Sequence, residues 1–187
     1  MKRFCSAIVL ATLAVRLHAA EFKFGNQILK VSDGFEVELV TTTNLVKRPV
    51  TMSFDEQGRL YVTDSSGSSE KGPTQYEQHN HRVMRLEDTD GDGKFDKSIT
   101  FADNMMFPEG CLYYDGSVYV GAPPSIWKLT DTNNDGVADV RVEWHQGKTL
   151  TGCANDVHGP YLGPDGWIYW CKGAFSEQSY EVNGKPW

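Results

Sequence analysis

Short alternations of apolar and polar residues recur along the chain, and each is cut off by Gly, Asp, Asn or Pro. Three segments follow one plan: Phe54-Asp-Glu-Gln-Gly58-Arg-Leu-Tyr61-Val62, Tyr114-Asp-Gly116-Ser-Val-Tyr119-Val120 and Gly163-Pro-Asp-Gly166-Trp-Ile-Tyr169-Trp170. Each reads as a strand, a tight turn and a second strand rich in aromatics. A period of two sends successive side chains to opposite faces of a sheet, and the Asp/Gly positions supply the positive φ of a hairpin turn. The turn glycines lie 58 and then 50 residues apart. A third strand is predicted after each of the first two hairpins, over 82–87 and 126–130, and a fourth over 97–101 and 140–144. Gly34–Val40 also alternates and is expected to form an outer strand. No long stretch has a helical period, so the class is all-β.

Between third and fourth strands lie two loops of one design, D-x-[DN]-x-D-G-x-x-D, beginning 43 residues apart at Asp88 and Asp131. Asp88, Asp90, Asp92 and Asp96, with the Lys94 carbonyl, can converge on one hard cation. Asp131, Asn133, Asp135 and Asp139, with the Val137 carbonyl, form the second set. Gly93 and Gly136 allow the sharp turn. An EF-hand would need Glu at the twelfth position, where Ile99 and Val142 stand. The expected ion is calcium, and its role structural.

A repeat of about 40–45 residues is the length of one β-propeller blade. The expected fold is therefore a partial β-propeller, about two and a half four-stranded blades of a six-bladed ring, and the chain a fragment. The other reading is a small two-sheet structure. Ser65 to Asn80 is polar and Gly/Ser/Gln-rich, and reads as a decorating loop.

Residues 1–20 read as a secretory signal peptide: a basic start, an apolar run from Phe4 to Val15, and small residues at Ala19-Ala20. Residues 21–187 form the propeller part, secreted or periplasmic, without a transmembrane segment. Cleavage would remove three of the 18 Lys and Arg and none of the 25 acids, leaving fifteen cations and a charge of −10. That argues against nucleic acid as a partner. Cys111, Cys153 and Cys171 remain, and sequence does not choose a pair. The motifs for dinucleotide binding, phosphate loops, serine hydrolases and covalent haem are missing.

The candidate catalytic residues sit at predicted blade junctions. His158, beside Asn155 and Asp156, has the composition of a general base with a polar orienter. Glu109, in Phe107-Pro-Glu-Gly110, holds the equivalent junction one blade earlier. His79 and His81 bracket Asn80 and share one face of an extended chain. Trp127, Trp144, Trp167 and Trp170 are read as strand residues of the inter-blade core.

Residues 85–97, Met106-Phe-Pro-Glu-Gly110 and the run from Asp156 to Tyr169 carry a resemblance. They look like the N-terminal propeller of bacterial "membrane-bound dehydrogenase" proteins, large envelope proteins often ending in a cytochrome c domain. That propeller is in turn similar to soluble quinoprotein glucose/sorbosone dehydrogenases. The resemblance covers roughly residues 30–187. It implies calcium, pyrroloquinoline quinone, a sugar or polyol substrate, a cytochrome electron acceptor and a catalytic histidine, His158. The interval from His158 to Gly163 is shorter than in those enzymes, and their cofactor-binding Arg and Lys come from later blades. A non-catalytic propeller binding glycan or protein is the competing expectation.

Overall fold

The computed structural model describes residues 19–153, 155–173, 181, 182 and 184–186. The chain divides into two compact units, residues 1–39 and 40–187. In the first, β1 (Ala19–Phe24) pairs antiparallel with β2 (Gln27–Ser32). Most of the expected signal peptide lies outside the described residues, but Ala19 and Ala20 already belong to β1. The hairpin was not anticipated. Gly34–Val40, expected as a strand, carries no strand assignment. With no neighbouring strand among the described residues to close a ladder, alternation alone does not hold an extended segment in a sheet.

The second unit is built from antiparallel sheets. The first contains β3 (Pro49–Phe54), β4 (Leu60–Asp64), β5 (His81–Glu87) and β6 (Lys97–Met105), in that order. The second contains β7 (Gly110–Tyr114), β8 (Ser117–Ala122), β9 (Ser125–Thr130) and β10 (Val140–His145), again in order. A two-stranded sheet follows, β11 (Val157–Leu162) with β12 (Ile168–Lys172), and then a short pair, β13 (Glu181–Val182) with β14 (Lys185–Pro186). The hairpins and the third and fourth strands fall where the alternation put them. The described sheets do not close into a ring.

The sheets stack face to face, and period two explains how. On β4, Tyr61 turns toward the second sheet, while Leu60 and Val62 turn the other way. On β8, Val118, Val120 and Ala122 meet the first sheet, and Tyr119 faces β11 and β12. Both β4 and β8 are buried along their whole length. The shared core joins Val83, Phe101, Met105 and Met106 to Val118, Val120 and Leu129. Each large apolar side chain fully withdrawn from water there is worth about 1.5–3 kcal/mol. Tyr113 N–H donates to Ser53 Oγ at 2.9 Å and Ala138 N–H to the Phe101 carbonyl at 2.8 Å, which fixes the relative height of the sheets.

One element departs from the expected all-β loop. Ser65–Asn80 contains α1 (Gly72–Gln78), with proline in its first turn. His79, in the left-handed region at φ 46°, ends it and donates its N–H to the Gln75 carbonyl. Among the described residues no helix is long and apolar enough to cross a membrane.

The topology separates two ends. The β3–β4, β7–β8 and β11–β12 turns share one end with both acidic loops, and Arg59 Nη1 reaches Asn134 Oδ1 at 3.4 Å there. The strand starts at Gly110 and Val157, and the Ser65–Asn80 segment, lie at the opposite end. Gly72 N–H donates to the Gly152 carbonyl at 2.9 Å there.

Candidate functional site

The acidic loops connect β5 to β6 and β9 to β10 as expected. In the first, oxygens of Asp88, Asp90 and Asp96 all lie within 4.8 Å of one another. Asp88 accepts from Gly93 N–H at 2.9 Å and from Gly91 N–H at 2.8 Å. Those amides, Gly93 first, hold its carboxyl below the usual range. Asp92 Oδ1 accepts from Lys94 N–H at 2.8 Å, and Thr89 Oγ1 donates to Asp96. The oxygens are thus gathered at short range on an exposed turn, a geometry suited to a hard cation.

The second loop repeats the backbone pattern but not the electrostatics. Asp131 accepts from Gly136 N–H at 2.8 Å, Asp135 Oδ1 from Val137 N–H at 2.8 Å, and Asp139 from Thr132. Asn133 Nδ2 donates to Asp135 Oδ2 at 3.1 Å. Arg85 of the first sheet, with its side chain only 5% exposed, places Nη1 3.3 Å from Asp131 Oδ2 and Nη2 2.6 Å from Glu87 Oε1. The guanidinium stands where it competes with a cation for the first ligand. Asn133 stands where the first loop has Asp90, so the counterpart of the Asp88–Asp90–Asp96 group carries two carboxylates and an amide. Calcium titration by calorimetry is therefore expected to show one site, not two. Arg85→Met should add a second, at least about tenfold tighter than any weak binding at that loop in the wild type. Two equivalent sites in the unaltered protein would refute the competition.

At the opposite end, glycines bring the strand starts together. The Gly159 carbonyl lies in a cleft between Gly110 and Gly121, where a Cβ on either would overlap it. Asn155 packs its carbonyl on Gly173 in the same way, and Gly173 N–H donates to the Asp156 carbonyl at 3.0 Å. These approaches place His158 beside Glu109: Nδ1 is 3.4 Å from Glu109 Oε2. The His158 side chain is 36% exposed, and that of Glu109 is 10% exposed. Asp156 is fully buried, with Oδ2 accepting from Thr151 N–H at 2.8 Å. Among the described residues, Glu109 Oε2, Asn155 Oδ1 and Asp156 Oδ1 are buried without a hydrogen-bond partner. The three candidate catalytic residues are thus brought together.

Burial, and then the charge of Asp156, push the Glu109 carboxyl up to about 8. Because the folded protein holds this proton more tightly than the unfolded chain, the group's stabilising contribution is complete below about 4.5 and is lost as pH rises toward 8. Glu109→Gln is expected to gain on the order of 2 kcal/mol over the wild type between pH 5 and pH 8. Urea unfolding at the two pH values measures it, and a constant difference would show that Glu109 does not titrate this way.

Other candidates fall elsewhere. His81 is buried, accepts from Ser66 N–H on Nδ1 at 3.0 Å and meets Gln75 Oε1 through Nε2 at 2.8 Å, and burial lowers its pKa. With both ring nitrogens engaged it makes no metal pair with His79, whose ring lies 5.1 Å from that of Tyr76. Cys111, Cys153 and Cys171 are all free, and burial raises the Cys111 thiol to about 12. Trp127 packs against the shared core, but Trp144 and Trp170 are partly exposed. Trp167 precedes β12 and is 72% exposed, so it is not a core strand residue.

The chemistry of the orphaned atoms tests the implied quinone. All three are acceptors, and two belong to carboxyl groups. A tricarboxylate brings more acceptors and negative charge, so these buried groups would not be the ones to hold it.

No curated protein matches the chain. No solved structure matches it. A family described as a domain of unknown function, DUF7133, matches residues 24–185. The match takes in every described strand from β2 to β12 and both ends of the sheets, so the chain belongs to the DUF7133 family.

Proposed function

We propose that the second unit is part of a secreted or periplasmic β-propeller of the sugar or polyol dehydrogenase-like type, with His158 as its base and Glu109 as the carboxyl that orients it. The observation that carries this reading is the buried Glu109 carboxyl, raised to about 8, against the accessible ring of His158. The ring of His158, 36% exposed at the edge of this buried cluster, would meet a hydroxyl of a polyol. His158 would take the hydroxyl proton, with Glu109 holding its Nδ1 side. Glu109 and Asp156 act here by orienting and by charge.

The propeller reading is supported by two successive four-stranded meanders stacked face to face, with β11 and β12 beginning a third. Calcium would hold β5 and β6 in register through the first acidic loop, at the end away from His158. It therefore takes no part in the proton transfer. Pyrroloquinoline quinone and a cytochrome partner are implied only by the sequence resemblance; the hydride from the alcohol carbon would need such a quinone as its acceptor, and the electrons would pass on from there.

The test is dye reduction by the full-length protein, supplied with calcium and pyrroloquinoline quinone, across a panel of sugars and polyols. Binding of the same compounds without cofactor is followed by ligand-observed NMR. Turnover that disappears in His158→Ala supports the enzyme. Binding without turnover supports the second reading, a glycan-binding propeller. Neither binding nor turnover would overturn both.

A further inference from the structure

Where α1 and the end of β6 meet β9 and β10 lies a cavity of about 160 Å³. Glu109, Asp156 and His158 do not line it, so it is a separate feature of the fold. Its inner wall is apolar. Met105 and Met106 are buried and belong to the core that joins the two sheets. Trp127 packs against the same core, which holds its indole in place. Pro123 and Pro124 continue the wall, and Tyr76, half exposed, stands at the mouth with its ring 5.1 Å from that of His79.

The polar part of the lining is braced. Ser125 is buried, and its hydroxyl donates to Glu143 Oε1 at 2.6 Å while accepting from Gly147 N–H at 3.2 Å. Gly147 lies against the Pro124 carbonyl so closely that a Cβ there would overlap it. One buried hydroxyl thus ties the Glu143 carboxylate to the turn between β8 and β9. Arg141 is held as well: Nη1 donates to the Asp103 carbonyl at 2.7 Å and Nη2 to Asp103 Oδ1 at 3.0 Å. A guanidinium has five N–H donors, so these bonds leave part of the fork for a ligand. Asn104, in the left-handed region at φ 50° within β6, adds an amide to the lining. Few residues with a Cβ take up that conformation, and Asn does so most readily.

Size and charge narrow the ligand. An apolar cavity of about 150 Å³ holds one benzene, so this one has room for a single six-membered ring. Arg141 and Glu143 bring one charge of each sign, and Asp103 already answers the guanidinium. The lining therefore offers no single-sign field that would select an ion. It offers donors and acceptors side by side, over an aromatic and apolar wall. A pyranose has matching surfaces: C–H bonds on one face for Trp127 or Tyr76, and hydroxyls at the rim that both donate and accept. A ring without hydroxyls would cover the same polar groups and leave them unpaired.

We infer that this cavity binds one pyranose ring of a neutral saccharide. Recognition of the glycan is then separate from the Glu109–His158 cluster, and it stands whether or not that cluster is catalytic.

The probes are the methyl pyranosides of glucose, galactose, mannose and xylose, with cyclohexanol, choline and tetraproline as the comparison. Each is titrated into the full-length protein and followed by ligand-observed NMR. At least one pyranoside is expected to bind at least about tenfold tighter than cyclohexanol, because only the sugar pairs the polar lining. Tyr76→Ala and Arg141→Ala should each weaken it at least about fivefold. Both variants should keep a melting temperature near that of the wild type, since Tyr76 is half exposed and the Asp103 carboxylate stays in water. His158→Ala should leave this binding unchanged.

The absence of pyranoside binding would overturn the inference. So would cyclohexanol, choline or tetraproline binding as tightly as the best sugar. Sugar binding that is lost in His158→Ala but kept in Tyr76→Ala and Arg141→Ala would place the ligand at the other cluster and reject this site. Binding that follows Tyr76 and Arg141 without any turnover would leave the site standing and remove only the enzyme.

Discussion

His158→Ala is expected to lower turnover of the best sugar by about 10²–10⁴-fold, the range that a positioned acid or base contributes. The pH dependence follows from the proton count on the Glu109–His158 pair. For His158 to accept a substrate proton on Nε2, its Nδ1 must carry a hydrogen that is directed at an ionised Glu109. Below about 8 the Glu109 carboxyl holds one proton more, and the outward nitrogen is then blocked. Activity should therefore rise as pH passes through about 8 and level off above it. Glu109→Gln should remove that rise, because an amide does not titrate. Loss of rate in His158→Ala without any change of profile in Glu109→Gln would leave His158 as the base and dismiss Glu109 as its partner. A rate that is unchanged in His158→Ala would end the enzymatic reading.

Gly110→Ala should be strongly damaging for so conservative a substitution. The added methyl would overlap the Gly159 carbonyl, which is backbone and cannot rotate aside. Forcing β7 and β11 apart is expected to cost about 3 kcal/mol, at the upper end of overpacking effects. For a chain of this size that corresponds to roughly 6–12 °C in melting temperature. It should also separate Glu109 from His158, so binding at the cluster should fall more than stability alone explains. Gly116→Ala offers the contrast: its Cβ would meet nothing within 4 Å, and its cost comes only from φ +73°. Equal losses in the two variants would mean that strand approach is not what Gly110 provides.

The strands were legible because β4 and β8 are buried on both faces while β3, β6 and β10 are edges, so apolar runs and alternations fall where packing demands them. Gly34–Val40 shows the limit. It alternates as well as β3 does, but among the described residues no neighbouring strand pairs with it. α1 was hidden because seven residues rich in Gln carry too little periodicity to register, although the proline at its start was a usable sign. Arg85 went unnoticed because nothing local links it to Asp131, 46 residues away.

By itself the sequence determined the class, the order of the hairpins, the placement of the acidic loops between third and fourth strands, and the residue types at the strand starts. These are local properties, set by side-chain period, turn chemistry and ligand spacing. Only the tertiary structure decided which groups share an environment. It put the acidic loops at one end and His158 at the other. It gave the second loop a guanidinium where the first gathers carboxylates. It also brought Glu109 to within 3.4 Å of His158 through close glycine contacts. Desolvation and charge proximity depend on distances through space, and a linear pattern carries no record of those.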